Sequence, residues 1–112
     1  MSESEFLAQA EATLYQIEAA FDRLNDADLL DVECSRSGNV LEIEFIDNGS
    51  KIIVNSQAPM QEMWIAAKSG GFHYKRDGAH WINTRDQSEL FSALSTMASE
   101  QAGTTLVLQD RD

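Results

Sequence analysis

The hydrophobic period of this chain changes twice along its 112 residues, and each change dictates a different backbone. Between residues 3 and about 24, Phe6, Ala10, Leu14, Ile17, Phe21 and Leu24 recur three, four or seven apart, with no Gly or Pro among them. Residues so spaced share one face of a helix, which predicts a single long amphipathic helix. Ser2 or Ser4 is suited to cap its start, and Glu3 and Glu5 suit the positive end of the helix dipole. Asn25 to Asp28 break it. From residue 30 the period falls to two, as expected of strands with one buried face. Val32 and Cys34 oppose Asp31 and Glu33, and Leu41, Ile43 and Phe45 oppose Glu42 and Glu44. Asn48-Gly49 predicts a tight turn into a strand at 51–55, and further strands are expected at 62–67, 72–75 and 80–83. The glycines Gly70-Gly71 predict a turn needing positive φ. A helical period returns from about Gln87 to Gln101 through Leu90, Phe91, Leu94 and Met97, and Gly103 stops it before the apolar tail Leu106-Val107-Leu108.

Helix, strands, helix in that order predicts an α+β fold, with both helices packed on one face of an antiparallel sheet. The other face is then open to solvent or a partner. Length allows one domain, residues 1–112, and a 43% hydrophobic content is enough for a core. No stretch reaches the roughly 18 apolar residues of a membrane span, and the acidic N-terminus lacks the features of a signal peptide. A lone cysteine, Cys34, excludes an intrachain disulfide and a cysteine-based zinc framework. These features point to a reducing, cytoplasmic setting.

Charge narrows function. Nineteen acids against eight bases give −11, which disfavours binding to nucleic acid or to anionic membranes and favours cations and basic protein patches. The excess is one-sided: residues 1–50 hold twelve acids and two bases, whereas residues 51–112 hold seven and six. On the first helix Glu11, Glu18 and Asp22 fall within roughly 40° of one another, beside the apolar stripe. With Asp26, Asp28, Asp31 and Glu33 they form a candidate ridge of hard oxygen donors suited to Fe²⁺, Fe³⁺, Mn²⁺ or Ca²⁺. The EF-hand register is missing, so weak, multi-site and poorly selective binding is expected. His73 and His80 are the only histidines, and no nucleophile–base order or phosphate-cradling loop is present, so no enzyme is expected. His73 reads as a sheet residue. Trp81 fits either core or surface.

The run Val54-Asn55-Ser56-Gln57-Ala58-Pro59-Met60-Gln61-Glu62-Met63-Trp64, followed by Gly70-Gly71-Phe72-His73-Tyr74, resembles the bacterial frataxins. Their pattern is Asn-x-Gln-x-Pro-x-x-Gln-x-Trp, then a Gly-Gly turn and an aromatic strand. Ser4-Glu5-Phe6, the turn at 47–51 and Trp81 fit as well. One departure stands out: the usual glutamine two residues before the tryptophan is Glu62, which adds a carboxylate to a surface the family keeps neutral. Asn25, Ala27 and Leu29 stand where other members carry further acids.

The resemblance implies a small α+β protein that binds iron weakly on an acidic ridge and modulates iron–sulfur cluster assembly, with a possible role as iron donor. Its implied partners are the cysteine desulfurase and the scaffold protein. It also implies a monomer, with iron-driven oligomers as a further state. A tryptophan within a strand is commonly core, but the resemblance puts Trp64 on the open sheet face, with Asn55, Gln57 and Gln61 or Glu62 nearby as a protein-binding surface. Two other classes compete. A nucleic-acid mimic that blocks a basic groove would need phosphate-like charge spacing, and the near-neutral second half opposes it. A ferroxidase-like iron-storage protein would need a closed, buried carboxylate site and stable oligomers.

Overall fold

The computed structural model describes residues 1–109, so 110–112 of the expected domain lie outside the described residues. The elements are α1 (Glu3–Asp26), β1 (Val32–Ser37), β2 (Val40–Phe45), β3 (Lys51–Gln57), a single 3-10 turn (Ala58–Met60), β4 (Glu62–Ala67), β5 (Gly70–Asp77), β6 (His80–Asn83) and α2 (Leu90–Ala102). The six strands form one antiparallel sheet in chain order, leaving β1 and β6 as its edges. The core lies between one sheet face and the two helices. It joins Phe6, Leu14, Ile17 and Phe21 of α1 to Leu41, Ile43, Ile52, Val54, Met63, Ile65 and Tyr74 of the sheet and to Leu90 and Leu94 of α2. The expected α+β sandwich is therefore the observed one.

Local chemistry sets the boundaries. Ser2 caps α1 in a capping box: its hydroxyl accepts from Glu5 N at 3.1 Å, and the Glu5 carboxylate accepts from Ser2 N. At the other end Asn25 makes two hydrogen bonds to the backbone of Val32, donating to its carbonyl and accepting from its N–H. That clamp holds Leu30 and Asp31 in the connection, so β1 starts later than the alternation from residue 30 predicts. The Asn48-Gly49 turn is also wider than expected. Phe45 N donates to Ser50 O at 2.8 Å across a loop of residues 46–49, with Gly49 at φ 71°. Asn48 donates its side-chain amide to Gln101 O at the end of α2, a tertiary bond that a two-residue turn would not make. Of Gly70 and Gly71, Gly70 alone takes positive φ.

Helix α2 begins at Leu90 rather than near Gln87. Asn83 Oδ1 accepts from Arg85 N and Asp86 N, winding the chain into a turn, and the Glu89 carboxylate then caps the helix by accepting from Phe91 N and Ser92 N. After Gly103 the tail lies between the helices. Ser99 Oγ and Ser95 Oγ accept from Leu106 N and Leu108 N, while Arg23 of α1 donates to Gln109 O. Leu106 and Leu108 are buried. Trp81 is core: it packs edge-on against Phe6, and its indole N–H donates to Thr13 Oγ1 at 2.7 Å.

Three expectations follow from this packing. Thr13→Val should strand the buried indole N–H of Trp81 and cost about 1–3 kcal/mol in urea unfolding, whereas Thr13→Ser should retain most of the stability. The Cys34 thiol packs against the core, and burial, followed by the charges of Asp22 and Glu18, pushes its pKa up to about 12. At pH 8 its native-state alkylation should therefore be on the order of a hundred- to a thousandfold slower than after unfolding. The raised pKa favours the protonated native state, so Cys34 should also lower stability as pH rises above about 9.

Candidate functional site

Helix α1 runs antiparallel to the edge strand β1. Its C-terminal end is tied to Val32 by Asn25, Glu18 and Asp22 act on Cys34, and Glu11 reaches Arg36 near the strand's far end. Glu11, Glu18 and Asp22 thus form a line beside an uncovered sheet edge, as the helical spacing predicts. They are not equivalent. Glu11 is paired with Arg36, which also donates to the Gly38 carbonyl, so one end of the line is neutralised. Glu18 is half-buried and Asp22 exposed.

The remaining acids divide into two groups. Asp28 and Asp31 line an open concavity at the end of the molecule with Asn25, Leu29, Leu30 and Asp47 of the β2–β3 loop. Ile46 N donates to Asp31 O, which holds that loop against the start of β1. Asp47 was absent from the sequence-derived ridge. It is far from the other acids in the chain, and only the β1–β2 pairing brings it near them. Asp26 is exposed on the last turn of α1. Glu33 behaves differently again: Val32 and Cys34 take the core side of β1, so Glu33 projects from the open side, directly opposite Glu44 on β2. The ridge therefore straddles the β1 edge. Among the described residues, no three carboxylate, imidazole or thiol groups converge into a set that could hold one ion. The chemistry available to this surface is attraction of hydrated cations and of basic protein surfaces by separate carboxylates.

The open sheet face carries the second group of candidates. Asn55 on β3 is the register partner of Trp64 on β4, and Trp64 of His73 on β5. The Trp64 and His73 rings stack, with centroids 4.2 Å apart and planes within 5°. Gln57 donates its amide to Asn55 Oδ1 at 2.6 Å, joining two of the expected amides beside the indole. Gln61 is not among them. It occupies a left-handed position (φ 51°) just before β4 and donates to the Met1 carbonyl at the start of α1. Its neighbour Glu62 is the residue beside Trp64.

Glu62 does not project as an exposed carboxylate. It is only 5% exposed, accepting from the Trp64 indole N–H at 2.8 Å, with His73 Nδ1 at 3.6 Å and Lys75 Nζ at 3.8 Å. The sequence expectation of an added surface carboxylate is corrected on this point: neighbouring side chains on β4 and β5 cover and flank it. His73 and Lys75 had no signal of their own beyond lying on the same side of a strand.

The chain as a whole is similar to known proteins. The family model of the frataxin-like domain matches residues 1–104. Two relatives named iron-sulfur cluster assembly protein CyaY, from Janthinobacterium sp. (strain Marseille) and Herminiimonas arsenicoxydans, are 74% and 70% identical over 110 residues, covering 98% of this chain and of each relative. In structure, the chain is similar to frataxin from Psychromonas ingrahamii, with a TM-score of 0.86 at 29% identity, covering 97% of this chain and 99% of that one. It also shares the fold of trimeric frataxin from the yeast Saccharomyces cerevisiae, a structure described as complexed with ferrous, at a TM-score of 0.69 and 23% identity over 86% of this chain and 87% of that one. The chain belongs to the bacterial frataxin family.

Proposed function

We propose that this protein is an iron-binding modulator of iron–sulfur cluster assembly that docks on the cysteine desulfurase and scaffold through its acidic ridge. The observation that carries the reading is the line of Glu18 and Asp22 along the uncovered β1 edge, continued by Asp28, Asp31 and Asp47 at the end of the molecule. Such a one-sided field attracts a basic protein patch and speeds its encounter. The names of the 74% and 70% identical relatives support the pathway. Iron binds weakly here because exposed carboxylates leave a cation much of its hydration shell, and binding spreads over Glu11, Glu18, Asp22, Asp26, Asp28, Asp31 and Glu33 rather than one cage. Glu11 contributes least, since Arg36 already compensates it. Trp64, Asn55 and Gln57 add a second contact region on the open face, and the protein works without catalytic groups of its own, in the cytoplasm.

A cluster-assembly time course with purified desulfurase and scaffold tests this. Saturating protein is expected to change the rate, and Glu18→Lys/Asp22→Lys to abolish the change; the sign separates donor from brake. An unaltered rate with saturating wild-type protein would count against the reading. Affinity for the desulfurase should fall as ionic strength rises, since contact is made by exposed charges. Because the carboxylates repel one another in the free protein, Fe²⁺ or Mn²⁺ should raise Tm by several degrees more than NaCl at equal ionic strength. The double lysine variant should lose most of that increment, and an equal response in both proteins would remove the ridge as the cation site.

A further inference from the structure

The buried Glu62 carboxylate has no contact with the acidic ridge and too little exposure to meet a partner directly. Its surroundings are nevertheless specific. One oxygen, Oε1, accepts the Trp64 indole N–H at 2.8 Å and lies 3.6 Å from His73 Nδ1, while Oε2 faces Lys75 Nζ at 3.8 Å. Trp64 and His73 stack nearly parallel above this sheet position. An indole on an open sheet face has two soft side-chain torsions, and ordering it on binding would subtract from affinity. A carboxylate that holds the indole N–H and is flanked by the stacked imidazole removes that freedom beforehand. Lys75 supplies a cation 3.8 Å from Oε2, so the nearly buried charge is compensated rather than stranded.

We infer that Glu62 is a positioning residue: it fixes the Trp64–His73 stack as a preformed flat platform against which a protein partner docks, with the Asn55–Gln57 amide pair at its margin. The inference rests on the open-face contact in the proposed function and adds the element that orders it. The platform suits a partner segment that lays an apolar or aromatic side chain on the indole and offers backbone groups to the amides. The family's glutamine at this position also offers an acceptor oxygen to the indole, so Glu62→Gln is the conservative variant.

The test measures affinity for the desulfurase–scaffold pair with wild-type protein, Glu62→Ala, Glu62→Gln, Trp64→Ala and the Glu62→Ala/Trp64→Ala double variant, together with the Trp64 indole N–H resonance by NMR. Trp64→Ala is expected to weaken binding roughly thirtyfold and Glu62→Ala roughly tenfold. The double variant should bind like Trp64→Ala to within about twofold, because Glu62 acts only through the indole. Glu62→Ala should shift the indole resonance, and Glu62→Gln should restore both resonance and affinity. Comparable unfolding curves for all variants separate loss of the platform from loss of the fold. Full affinity in Glu62→Ala alongside a weakened Trp64→Ala would overturn the positioning role and leave the open-face contact standing, as would additive losses in the double variant. Full affinity in Trp64→Ala would overturn the open-face contact itself, and the positioning role with it.

Discussion

The burial of the apolar stripe of α1 against one face of the sheet is the constraint from which the rest of this surface follows. Phe6, Leu14, Ile17 and Phe21 are wholly buried, and Asn25 fastens the end of the helix to the backbone of Val32. With both rotation and axial position set in this way, the residues beside the stripe have no freedom over where they face. Glu11, Glu18 and Asp22 are therefore presented along β1 by core packing, and their mutual repulsion is sustained by hydrophobic burial elsewhere in the same helix. Asn25 meets both the N–H and the carbonyl of Val32, which an amide can do because it carries a donor and an acceptor together.

The sheet separates two kinds of recognition. Along β1, charges are exposed, dispersed and only partly compensated, which suits long-range attraction and cation exchange. On β3 to β5 of the open face, side chains are matched to one another across the strands: Asn55 beside Trp64, Trp64 on His73, and Glu62 among Trp64, His73 and Lys75. Such pairs are preorganised by strand register. Between the two regions, Glu33 and Glu44 face each other on the open side of β1 and β2, and Lys51 pairs with Glu42 at 3.4 Å. The acidic field thus continues around the β1 edge onto the open face and fades toward the aromatic stack.

Polar bonds between elements close the fold where apolar packing ends. Gln101 accepts from Lys68 N, donates to Ser50 Oγ and receives Asn48 on its own carbonyl, so one residue of α2 joins the β2–β3 loop to the β4–β5 turn. Ser95 and Ser99 bind the backbone of the tail with their hydroxyls, which lets Leu106 and Leu108 complete the core without a seventh strand. The same loop that Asn48 secures carries Asp47 to the acidic end. A bond that looks purely structural therefore also helps define the charged surface.

Whatever depends on the period of side chains along one segment was legible in the sequence. The helices, the strands with their inward and outward faces, the helical alignment of Glu11, Glu18 and Asp22, and the motif ending at Trp64 all follow from spacing, because periodicity is a local property of the backbone. What depends on two distant segments meeting was decided only by the tertiary structure. Arg36 neutralising Glu11, Asp47 joining Asp28 and Asp31, Glu33 lying opposite Glu44, Gln61 leaving the Trp64 surface and Glu62 becoming buried beneath it each require a register or a packing partner. No one-dimensional pattern encodes that proximity. Composition determined how much negative charge this protein carries; folding determined which of those carboxylates act together, since the interaction of two charges depends on their separation in space and on how much water lies between them.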